Sequence, residues 1–264
     1  MYRAPNPLVV ALLSMWPLGL HAQTVHVAAA SDLQFAMPEL AERYEEGSGA
    51  KIELSFGSSG NFFAQIQNGA PFDLFFSADR SYAEKLVAGG RADANSLYVY
   101  ALGRLVLWAP REANLKLAEK GFSVLADPRV QKIAIANPEH APYGRAAVAA
   151  LRKAGLYEQL KTKLVFGENI LQAAQFAQSG NAQVGMVALS LALSESMKTG
   201  EQWIVPADYH PPLEQAAVLI NARGNKPKAV GFLEFVKSEA GRSILARYGF
   251  TSPSSASPDM EHKP

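Results

Sequence analysis

Small hydroxyl residues stand at two strand-to-helix corners early in the chain. Val25-His26-Val27-Ala28-Ala29-Ala30 runs into Ser31-Asp32, and Ile52-Glu53-Leu54-Ser55-Phe56-Gly57 runs into Ser58-Ser59-Gly60-Asn61. A helix N-terminus presents backbone N–H groups without intrahelical acceptors and a partial positive charge, and a serine there adds a hydroxyl donor. Two such corners facing one another would hold a small anion without any Lys or Arg. Two later corners have the same form: Pro142-Tyr143-Gly144-Arg145 follows a strand at 132–136, and Glu168-Asn169-Ile170 follows one at 163–166. Each corner alone reads as an ordinary N-cap, because Ser, Asp and Asn are preferred there with or without a ligand. Four together read as a site. The Ser58-Ser59-Gly60 corner is the most specific, since a cap needs one hydroxyl and Gly60 lets the backbone approach a ligand closely.

Other chemistries find little support. With no cysteine there is no disulfide, thiol catalysis or Cys-ligated metal. Serine hydrolysis needs a base oriented by a third group. His26 falls in a strand, His210 in a connection between the two halves, and His262 in the tail; His140 is near a corner, but no G-x-S-x-G elbow accompanies it. HExxH, EF-hand, GxGxxG and Walker patterns are missing from the sequence. Asp73 and Asp79 bracket a strand, where capping explains them.

The elements that must position the corners alternate. Strands at 24–30, 51–56 and 72–77 are separated by helices at 32–47, 61–68 and 80–88, a βαβα rhythm that predicts an α/β fold with a mostly parallel sheet. Pro38 inside the first helix predicts a kink. A second α/β unit occupies 104–212, with a strand at 105–108, a polar connection through Lys120, and helices at 144–154 and 170–178. A final strand at 216–220 and one amphipathic helix from Pro227 to Tyr248 are too short for a third domain and return to the first. The expected lobes are therefore 24–103 plus 213–251, and 104–212, joined by two crossings that form a hinge beside a cleft. Ligands in open α/β sheets bind at the carboxyl ends of strands, so the corners belong in that cleft. The Ser- and Pro-rich tail, 252–264, is expected to be disordered.

Residues 1–22 read as a secretory signal peptide, with Arg3, an apolar stretch from Leu8 interrupted by Pro17, and Leu20-His21-Ala22 before the cut. The stretch is too short to span a bilayer. Export without cysteines points to the periplasm. Formal net charge is +1, and loss of Arg3 leaves 24 basic against 24 acidic residues, so neither nucleic acid nor an anionic membrane is an expected partner.

The ordered motifs Ala28-Ala29-Ala30-Ser31-Asp32-Leu33, Ser58-Ser59-Gly60, Ala70 to Asp79, Asn137 to Gly144, Gly167-Glu168-Asn169-Ile170, Gly185-Met186-Val187-Ala188 and Arg247-Tyr248-Gly249-Phe250 resemble the periplasmic molybdate-binding proteins of ABC-type importers. The resemblance covers nearly the whole chain after the signal peptide. It implies a type II periplasmic binding protein, a monomer whose two lobes close on molybdate or tungstate and deliver it to a membrane permease. It implies no cofactor, no catalytic step and no metal coordinated directly by side chains. Ser31 and Ser59 would give hydroxyl and backbone donors, and Asp32, Tyr143 and Ile170 backbone N–H groups. Arg145 is expected to point to solvent, and the Asp32 carboxylate to turn away and cap its helix. Some members carry an anion-binding Tyr where this chain has Ala188; another branch carries instead a Tyr at the position of Tyr143. A deprotonated tetrahedral dianion has only acceptors and suits a site made of donors, whereas hydrogen phosphate needs an acceptor. Sulfate also has only acceptors, and its exclusion depends on cavity size. A sulfate or other oxyanion receptor, and an enzyme on the same scaffold, are the alternatives.

Overall fold

The computed structural model describes residues 24–221 and 227–253. The expected signal peptide, and the expected tail from residue 254 onward, lie outside the described residues.

Strands β1 (Thr24–Ala30), β2 (Lys51–Gly57), β3 (Leu74–Ser77) and β4 (Tyr98–Gly103) open one sheet. The chain crosses at Arg104 into a second sheet made of β5 (Leu105–Ala109), β6 (Ile133–Ala136), β7 (Leu164–Gly167), β8 (Val184–Ala188) and β9 (Glu201–Ile204). It returns to the first sheet as β10 (Leu213–Leu219). Helices α1 (Ala36–Ser48), α2 (Ser59–Gln67) and α3 (Arg80–Ala88) belong to the first lobe. The second carries α4 (Leu117–Lys120), α5 (Pro142–Lys153), α6 (Tyr157–Leu160), α7 (Ile170–Gln178) and α8 (Leu189–Ala192), and the chain closes with α9 (Pro227–Lys237) and α10 (Glu239–Arg247).

The strand orders are β2-β1-β3-β10-β4 and β7-β6-β8-β5-β9. β1 runs parallel to β2 and β3, and β6 to β7 and β8. β10 is antiparallel to β3 and β4, and β5 to β8 and β9, so each sheet is mixed. β5 and β10 each follow a crossing from the other lobe. No βαβ helix aligns them, and they enter in the opposite sense. Helices cover both faces of the first sheet. Val25, Val27 and Ala29 of β1 pack with Leu33, Met37, Leu40 and Phe232, while Ala28 turns to the other face with Phe62, Ile66 and Leu86. That period of two, buried on both sides, explains why β1 reads as a continuous apolar run. The core of the second lobe takes in Ala30, Ala78 and Leu213 from the first, so the lobes are packed against each other.

Several expectations need correction. The segment after β1 is a 3-10 turn, Ser31–Leu33, and α1 begins only at Ala36. Pro38 thus sits in the first turn of α1, where the N–H has no intrahelical acceptor to lose, and no kink is required. The expected helix 227–248 is two helices: Ser238 breaks it, and its Oγ accepts the Gly241 N–H at 3.2 Å to cap α10. A Cβ on Gly241 would lie 2.4 Å from the Phe235 carbonyl oxygen, so the sharp junction requires glycine. Strands β4 and β9 were absent from the sequence expectation, and α4 lies within the stretch expected to be a polar connection.

Candidate functional site

Parallel strands end together, so the segments that follow them start along one edge. β1 and β2 deliver the Ser31–Leu33 turn and α2; β6 and β7 deliver α5 and α7 from the other lobe. The four starts meet at a cavity between the lobes, lined by Ser31, Asp32, Ser59, Tyr143 and Ile170 together with Ala30, Gly57, Ser58, Ala78, Ala141 and Pro142. All five residues expected from the sequence are therefore brought together. No Lys, Arg or His is in the lining. The space left between the lobes there is about 10 Å³, enough for one water-sized group.

The donors follow from helix-end chemistry. Ser58 is the N-cap of α2, and its Oγ accepts from the Asn61 N–H at 3.4 Å. Ser59 is the first helical residue, where the N–H has no intrahelical acceptor. Its Oγ accepts the Ala78 N–H at 2.9 Å, which leaves the Ser59 O–H free to donate. Pro142 occupies the first turn of α5 and has no N–H, so Tyr143 supplies the first amide there. In α7 the Asn169 side chain caps the Gln172 N–H at 3.1 Å and leaves that of Ile170 without an intrahelical acceptor. The two serines of the second corner thus divide the work. Ser58 caps, and Ser59 faces the cavity.

Gly60 does something other than expected. Its N–H donates to the His140 carbonyl of the opposite lobe at 2.9 Å, and a Cβ there would lie 2.6 Å from the same oxygen. The glycine admits the partner lobe's backbone. His140 Nδ1 also lies 3.0 Å from Ser58 Oγ, and Asn61 Nδ2 donates to Glu168 Oε1 at 2.5 Å, so this edge of the seam is stitched by polar contacts. Arg145 does not stand free in solvent. It pairs with Asp79 at 2.5 Å and donates to the Tyr82 hydroxyl at 3.1 Å, across the same seam. Asp79 also caps α3 through the Ser81 N–H at 2.9 Å, and Asp73 accepts the His26 N–H at 2.8 Å, which explains both acids structurally.

The Asp32 carboxyl turns away from its own helix but does not cap it, since α1 starts four residues later. Its Oδ2 accepts from Gln215 Nε2, which also reaches the Tyr143 hydroxyl at 3.2 Å; the Tyr100 hydroxyl donates to Gln215 Oε1 at 2.7 Å. Burial pushes the Asp32 carboxyl up from 3.8 to about 6, against the neighbouring Gln215 amide and Tyr143 hydroxyl, which pull it down. Burial likewise raises the Tyr100 and Tyr143 hydroxyls well above their ordinary value. The Tyr143 side chain is therefore committed to this network. Ser190 Oγ of α8 donates to the Asp32 carbonyl at 2.7 Å, a further bond between lobes. Gln215, Tyr100, Ser190 and Ala78 went unrecognised in the sequence. Only Gln215 carried a signal, as a polar residue within the buried run 213–219.

Comparison with known proteins agrees with this architecture. Residues 25–251 match the family described as "Bacterial extracellular solute-binding protein". The molybdate-binding protein ModA of Azotobacter vinelandii is 39% identical over 245 residues, covering 92% of this chain and 96% of that protein. ModA of Rhodobacter capsulatus is 38% identical, covering 92% and 94%. The solved structure of the Azotobacter vinelandii periplasmic molybdate-binding protein superposes with a TM-score of 0.81 at 34% identity, covering 87% of this chain and 99% of that one. The chain belongs to the bacterial extracellular solute-binding proteins, a family of receptors rather than enzymes, and within it to the ModA molybdate-binding group.

Proposed function

We propose that the protein, as a monomer in the periplasm, captures molybdate or tungstate between its lobes and delivers it to an ABC permease. The observation that carries this reading is the cavity itself: four helix or turn starts from two lobes converge on a space for one small group, with no cationic side chain in the lining. Ser31 and Ser59 hydroxyls and the N–H groups of Ser31, Asp32, Ser59, Tyr143 and Ile170 are the proposed donors. An all-donor set suits an anion that brings only acceptors. The relatives' ligand narrows the choice of anion. Lobe closure, with the crossings near 103 and 213 absorbing the motion, is the signal offered to the permease.

Calorimetric titration of the exported form with molybdate, tungstate, sulfate and phosphate tests the reading. Tight binding of the first two and weak or no binding of the others is expected. Sulfate bound as tightly as molybdate removes the specificity, and no heat with any of the four removes the anion site.

A further inference from the structure

We propose that Asp32 is a proton-carrying member of the anion site: it is a neutral acid when the lobes are closed on the anion and a carboxylate when they are open, so capture of the dianion takes up one proton from solvent. This rests on the oxyanion reading above and names a chemical role for a side chain which that reading leaves as mere lining.

Asp32 is 1% exposed and lines a cavity whose proposed occupant is itself anionic. Oδ2 is held by Gln215 Nε2, and Oδ1 has no hydrogen-bond partner. A buried carboxylate with an oxygen unpaired is costly unless a cation or a proton neutralises it. No cation is at hand. The groups facing Asp32 are Tyr100 from β4, Tyr143 from α5, Gln215 from β10 and Ser190 from α8, all neutral. Among the described residues no ion pair involves Asp32. The charged residues near these groups along the chain are Arg104, which is exposed, Arg145, which pairs with Asp79 at 2.5 Å, and Glu214, whose side chain pairs with Arg80 at 3.6 Å. The network is packed closely against Gly103, where a Cβ would lie 2.3 Å from the Tyr143 hydroxyl and 2.7 Å from Gln215 Nε2.

A proton on Oδ1 removes the unpaired charge and leaves Oδ2 to accept from Gln215. Burial, net of the hydrogen bonds that oppose it, already raises the carboxyl to about 6, and a dianion in the same cavity adds like charge that raises it further. Opening the lobes separates Tyr143 and Ser190 from Asp32, readmits water and restores an ordinary carboxylate. The bound form thus holds more protons than the free form at neutral pH. By linkage its affinity falls as pH rises, by at most about tenfold per pH unit for one proton.

The test is calorimetric titration with sodium molybdate at about pH 7.5 in two buffers of different ionisation enthalpy. The observed heats are expected to differ by an amount that corresponds to uptake approaching one proton per anion. Asp32→Asn, whose amide keeps the shape of the neutral acid, is expected to bind without proton uptake and with an affinity unchanged between about pH 6.5 and 8.5, while the wild type weakens with rising pH across that range. Tight binding by the wild type with identical heats in both buffers overturns the inference but not the anion site. Undiminished proton uptake in Asp32→Asn assigns the proton elsewhere and also overturns it. Absence of molybdate binding by the wild type sinks both. The wild-type buffer pair stands even if the variant folds poorly.

Discussion

Ser59 shows how one side chain serves the fold and the proposed ligand at once. Its oxygen accepts the Ala78 N–H, and the hydroxyl proton is what remains for the anion. Ser59→Ala therefore has two expected costs: about 1.5–3 kcal/mol of anion affinity from a lost charge-assisted bond, and about 1–3 kcal/mol of stability from an orphaned buried amide. Titration and thermal melting of the same variant measure the two separately. A variant that melts lower yet binds molybdate as well as wild type limits Ser59 to the structural role. The serine and asparagine corners were readable in the sequence because capping is local chemistry, written in three or four consecutive residues. The contacts of Asp32 were not. Its partners Gln215 and Ser190 are 183 and 158 residues away, and only folding brings them to it.

At the scale of elements, the function depends on where helices begin. Three of the four cavity-forming segments are helices whose first residue follows closely on a strand, so the strand ends set where the donors lie. Alternation of strands and helices made most of these elements legible. The missed ones fail for physical reasons. β4 has only two fully buried residues, Tyr100 and Ala101, and β9 alternates half-buried with exposed ones, so neither shows a strong apolar run. The break between α9 and α10 is hidden because the apolar periodicity continues past Ser238. Gly60, in the first turn of α2, is the most sensitive element-level position, since any Cβ meets backbone of the other lobe. Gly60→Ala is expected to weaken molybdate binding at least about tenfold by holding that edge of the seam apart, with little change in thermal stability of the unliganded protein. Affinity equal to wild type would show that the lobes need not approach so closely.

For the whole molecule, the two lobes meet through apolar packing of Ala30, Ala78 and Leu213 and through a rim of polar contacts. The Arg145–Asp79 pair, with side chains 38% and 29% exposed, contributes at most about 1 kcal/mol in water. A bound anion adds its own free energy to these direct contacts. A ligand bound only by the folded state at a hundred times its dissociation constant adds about 2.7 kcal/mol of stability. For a chain of this size that corresponds to a rise in melting temperature of about 5–10 °C, expected with molybdate in differential scanning calorimetry and expected to be much smaller with phosphate. An equal shift with both anions would point to nonspecific salt stabilisation.

The lining without Lys, Arg or His has a kinetic meaning as well. A full charge draws an ion in from a Debye length away and weakens as salt rises; the partial charges at helix ends act within a turn of the helix and are felt only on arrival. The lining thus supplies no cationic side chain to draw the anion in from a distance. What holds the anion then acts at contact, through hydroxyls and helix-end N–H groups.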